Sequence, residues 1–154
     1  MHSIIFTLLV TVLIGGGASL VAQNALPGDL LWGFKINVNE KIESAFSPGA
    51  KAQAYFDIMA IKARLEEAEK LAADSKLTAD VRAEIQENFD THFIGAQQNI
   101  AALEAKNNYA IAAEMATRLQ TVIATQMSGP LDLREALDKA SSLSSDMSTK
   151  AELY

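Results

Sequence analysis

The chain has 154 residues, a formal net charge of −6 and no cysteine. Without cysteine there are no disulfides, thiolate metal sites, iron–sulfur ligands, cysteine nucleophiles or lipoprotein lipobox. The acidic balance, with no basic stripe, argues against nucleic acid as a partner and against docking on anionic lipid.

Residues 3–22 read SIIFTLLVTVLIGGGASLVA, an uncharged run whose length as a helix would be about 30 Å, enough for a bilayer core. As a signal peptide, the apolar stretch from Ile4 to Ile14 is followed by Gly15-Gly16-Gly17, and Gly16-Gly17-Ala18 is the best small-x-small cleavage site. As an uncleaved anchor, the segment continues through glycines that membrane helices tolerate. Only His2 and the α-amine stand where a basic flank is expected, so orientation is open. Phe6-Thr7-Leu8-Leu9 is also similar to the start of mature type IV pilins, although Val10 replaces their glutamate and Ile5 their preceding glycine.

Residues 23–29 (QNALPGD) form a linker in which Pro27-Gly28 marks a turn and Asp29 a helix N-cap. A first helix is predicted over residues 30–46, where Leu31, Phe34, Val38, Ile42 and Ala45 share one face. Ser47 and Pro48 fit the N-cap and N1 positions of a second helix reaching about Ala73. Its apolar row is Ala54, Ile58, Ile61, Leu65, Ala68 and Ala72, and its charged residues Arg64, Glu66, Glu67, Glu69 and Lys70 read as a solvated outer face.

Thr78 then caps a third helix with the row Val81, Ile85, Phe89, Phe93, Ala96, Ile100 and Leu103. Asn107-Asn108 ends it, and a fourth carries Ile111, Met115, Leu119 and Val122. Ser128-Gly129-Pro130 is a stop. A last helix over about residues 131–143 has Leu133, Leu137 and Ala140 on one side, and the serine-rich residues 144–154 are expected to fray.

The expected fold is therefore all-α: an N-terminal apolar helix, then an up-and-down bundle of four to five amphipathic helices, because short turns make consecutive helices antiparallel neighbours. The domain reading is residues 1–25 as signal, anchor or assembly segment, 26–143 as bundle and 144–154 as polar tail.

The stretch Leu26-Pro27-Gly28-Asp29-Leu30-Leu31-Trp32-Gly33-Phe34-Lys35, with Ser47-Pro48-Gly49-Ala50-Lys51-Ala52 after it, resembles a bacterial domain-of-unknown-function family of exported helical proteins, common in candidate-phyla bacteria. Its members open with Pro-Gly-Asp-x-Leu-Tyr-Pro-x-Lys; this chain has Trp32-Gly33 where Tyr-Pro is usual. The resemblance covers about residues 25–119 and implies an extracytoplasmic helical domain. It carries no activity and no catalytic residues.

Candidate chemistry is sparse. His92 stands beside Phe89 and Phe93 and lacks the Glu-x-x-His spacing of carboxylate-bridged bundles, so it reads as a structural or surface histidine. Glu84, Glu87 and Asp90, like Glu66 and Glu69, are carboxylates at three-residue steps, read as solvated faces. Met59, Met115, Met127 and Met147 are too scattered for a copper box. Trp32 fits either an interfacial anchor or a packing residue. Gly15-Gly16-Gly17 is no phosphate loop, and no serine triad is recognisable. The expectation is a non-enzymatic module without cofactor, catalytic or metal residues. Its partners would be the membrane through residues 3–22, if uncleaved, and itself or another envelope protein; the alternative is a filament subunit with the apolar helix as assembly core.

Overall fold

A computed structural model describes residues 25–27, 29, 32, 35 and 49–154. The chain divides into two units, Met1–Phe46 and Ser47–Tyr154. The predicted first helix and the apolar segment fall in the first unit and, apart from Trp32 and Lys35, outside the described residues. Among the described residues no helix is long and apolar enough to cross a membrane.

In the first unit, the Asp29 backbone N–H donates to Leu26 O (2.9 Å) and the Leu26 N–H donates back to Asp29 Oδ2 (2.8 Å), closing the turn that Pro27 sets up. The carboxylate's observed bond thus runs backward along the chain.

The second unit is all-helical: α1 (Ala50–Ala73), α2 (Ala79–Glu104), α3 (Tyr109–Ala124) and α4 (Arg134–Leu153). The N-cap of α1 is Gly49 (φ 87°), without a side-chain cap bond, so this helix starts two residues later than a Ser47 cap and Pro48 N1 would place it. At α2 the expected cap is present: Thr78 Oγ1 accepts from the Val81 N–H at 3.3 Å.

Both long helices end in the same closure. Beyond α1, Lys76 N–H reaches back to Leu71 O (2.8 Å) around Ser75 (φ 55°). Beyond α2, Asn108 N–H reaches Leu103 O (3.0 Å) around Asn107 (φ 59°). These are Schellman-type ends, in which one left-handed residue lets orphan helix carbonyls be satisfied.

The helices α1 and α2 pack most extensively, as do α3 and α4, while α3 also leans on α1 and α2. Cross-helix bonds give the directions. Thr117 pairs with Ser144 and Gln120 with Ser141, numbers rising on α3 as they fall on α4, so these run antiparallel. The core takes Ile58, Ile61 and Leu65 from α1, Ile85, Phe89 and Ile100 from α2, Met115, Leu119 and Ile123 from α3, and Met147 from α4.

Three expectations about faces are corrected. On α1, Arg64 and Glu67 are buried (0% and 5% exposed) and Ala72 is exposed. A second row, Asp57, Ala60, Arg64, Glu67 and Leu71, repeats the three-four spacing beside the apolar row, and all five are buried. On α3 the buried face centres on Ala112, Met115, Ala116, Leu119 and Ile123, leaving Ile111 and Val122 only half-buried. The expected frayed tail is helix: α4 continues to Leu153, because Ala140, Ser144 and Met147 keep the spacing and go inside.

Candidate functional site

Polar side chains meet between α1 and α2. From α1, Asp57 projects toward α2 with 8% exposure. Its Oδ1 lies 3.0 Å from His92 Nδ1, and its Oδ2 accepts from Asn99 Nδ2 at 3.2 Å. Against an ionised carboxylate, Nδ1 carries the proton and donates. Asn99 also donates to Gly95 O (2.9 Å), and the His92 ring meets Phe56 edge to face at 5.7 Å. The close approach depends on Gly95: a Cβ there would sit 2.7 Å from Asp57 Oδ2. A buried carboxylate with both oxygens engaged across two helices fixes their mutual register, since any slip leaves it unsatisfied.

The sequence reads His92 as a structural or surface histidine and does not mark Asp57, its partner 35 residues upstream. Nothing local marks Asp57; the available signal was its place in the second three-four row of α1. That row also holds the ion pair in which Arg64 Nε lies 3.1 Å from Glu67 Oε2 and Arg64 Nη2 donates to Glu67 Oε1 at 3.3 Å.

The other candidates disperse. Glu66 pairs with Lys62 at 3.3 Å on an exposed surface, and Glu69 turns toward the loop before α4, where the Gln126 amide can donate to its Oε2 at 3.3 Å. Glu84 and Glu87 are exposed. Met115 and Met147 are core, whereas Met59 and Met127 lie at the surface. Trp32 is buried, at 2% exposure. Among the described residues no group of three or more histidine or carboxylate side chains converges as a metal site.

The one acidic residue of those rows with a distinct setting is Asp90, on the edge of a groove of about 360 Å³ between α2 and α4. At one end Arg82 Nη1 donates to Pro130 O (2.6 Å), and at the other Lys150 bonds Glu104 as well as Asp146 (2.8 Å). From Arg82 to Glu104 along α2 the partners rise from Pro130, in the loop before α4, to Lys150 near its end, so α2 and α4 run parallel. Bonds to Asp146 and then Glu104 hold the Lys150 ammonium above its ordinary titration range. Between the ties the seam stays open, over Phe89, Phe93, Ile94 and Ala136.

Comparison with protein-family models, with curated proteins and with solved structures finds no match for this chain.

Proposed function

We propose that this chain is a non-enzymatic, exported helical module that faces the cell envelope and works by contact with another envelope component. The observation that carries this reading is the open α2/α4 seam. It leaves a groove over the buried Phe89 and Phe93, with Ile94 at its lip 53% exposed, as a place where a partner's side chains can enter. The inward polar residues support the same reading, because the Asp57–His92–Asn99 cluster ties helices together. The uncharged run of residues 3–22 supports export and a membrane tether, and the resemblance of residues 25–119 to exported helical domains supports the first of these.

Two measurements on the natively expressed full chain test this. Mass spectrometry of the N-terminus, with cell fractionation, reads the fate of residues 1–22. A photo-cross-linking residue at Ile94 reads what touches the seam in the intact envelope. The expected result is an envelope-fraction chain giving a discrete heterologous adduct at position 94. Retention of residues 1–22 with sedimentation as a large homo-oligomer without detergent would instead establish a filament subunit. A cytosolic chain with no adduct would sink the proposal.

A further inference from the structure

We infer that the α2/α4 groove receives a basic amphipathic helical segment of a partner protein; this rests on the contact-module reading above and names the partner's chemistry. The groove is linear, lined along α2 from Gln86 to Gln97, about 16 Å of helix. Its floor is Phe89 and Phe93, their rings stacked at 5.8 Å, with Ala136 opposite and Ile94 at the lip. A volume of about 360 Å³ accommodates anchoring apolar side chains but not a whole helix, which is about 10–12 Å wide. An occupant therefore lies along the mouth and inserts side chains at i, i+3 or i+4, and i+7, the pattern of helix-in-groove recognition.

The rim sets the sign of the partner. Asp90, Asp132 and Glu135 face Lys139 as the one lining cation, and that ammonium is already bonded to Glu135 at 2.7 Å. This bond lowers the Glu135 pKa below its ordinary value, so the carboxylate stays ionised. Asp90 accepts from the Gln86 amide (2.9 Å) and Asp132 from the Arg134 backbone N–H (3.3 Å). Each of these bonds leaves a carboxylate acceptor capacity toward the groove. Glu87, one turn before Asp90, extends the acidic edge. A second copy of this chain is a poor occupant, because at net −6 it brings like charge to an acidic rim. Lysine or arginine beside leucine-type anchors answers both rim and floor.

The test uses the full chain in zwitterionic nanodiscs, with empty nanodiscs as blank. The probe is a 14-residue leucine/lysine helix carrying one photo-reactive phenylalanine. Controls are its leucine/glutamate counterpart and oligolysine. Expected are saturable cross-links mapping to residues 89–97 and 136–139, weakened by salt. A D90N/D132N/E135Q variant should bind about tenfold less tightly, as three rim charge contacts of modest strength imply. The glutamate peptide and oligolysine should not compete. Cross-links elsewhere, unchanged affinity in the triple variant, or equal competition by either control would overturn the proposal. The envelope adduct at position 94 is read without any peptide, so loss of peptide docking and failure of the contact-module reading are separate results.

Discussion

Gly95 and Ser75 are both costly by helix or turn propensity, and their surroundings give them opposite fates on substitution. Alanine at position 95 would gain up to about 1 kcal/mol in helix propensity. Its Cβ, however, would lie 2.7 Å from a carboxylate oxygen that is buried and held by His92 and Asn99, so the carboxylate cannot swing aside without losing those bonds. Overpacking wins: G95A should lower unfolding stability by about 1–3 kcal/mol in denaturant melts. In a cycle with D57A, the double variant should be less destabilised than the sum, because the clash disappears with the carboxylate. Ser75 holds φ 55° with no Cβ-free relief, so S75G should raise stability by about 0.5–1 kcal/mol. At this scale the sequence was partly legible. The Thr78 cap and the Asn107 break follow from side-chain chemistry close by. Asp57 does not, since its reason for being polar lies on another helix.

Between elements, the apolar rows of α1 and α2 were readable because large residues repeat without interruption. Legibility failed where a buried row contains polar or small side chains. Arg64 and Glu67 pair with each other inside the bundle, so their charge disguised an inward position. The row Ala140, Ser144 and Met147 looks like part of a polar tail by composition, although its spacing is helical. The Ser144 hydroxyl meets Thr117 at 3.1 Å, which lets a serine sit inside. Met147, at 1% exposure, makes the point measurable: M147A should cost about 2–4 kcal/mol, and a chain ending at residue 143 should lose more than that in thermal melts. A frayed tail would show neither effect.

For the molecule as a whole, charge sets the pH response. Arg118, bonded to Glu114 at 3.0 Å, holds that carboxyl below its ordinary value of 4.5, with Lys51 assisting at 3.4 Å. A depressed carboxylate stabilises the fold above its ordinary value and loses that contribution as pH falls through the lowered one. Wild type should therefore exceed E114Q in stability at neutral pH by a margin that closes only below pH 4.5 and shrinks with salt. The Lys150 ties behave oppositely: their contribution is complete below 10.5 and fades only in stronger alkali. The all-α class was legible at this scale from the three- and four-residue spacing of the apolar rows. The open seam was not, because it depends on where α4 settles relative to α2, and sequence periodicity carries no information about how closely two helices tied only near their ends pack between the ties.

The two ties that bound that seam join residues 48 and 46 positions apart, whereas α1 with α2 and α3 with α4 are neighbouring hairpins. Hairpins close early because short loops cost little entropy, and the longest closures come last. The seam closes after the hairpins and, with two end ties and an open middle, packs less than either of them, so it is expected to loosen early in the native state. Amide exchange should show it, with the seam-facing turns of α4 around Glu135–Lys139 opening at lower free energy than the middle of α2. A partner arriving at the groove would meet the slackest joint in the bundle, where a little yielding is cheapest.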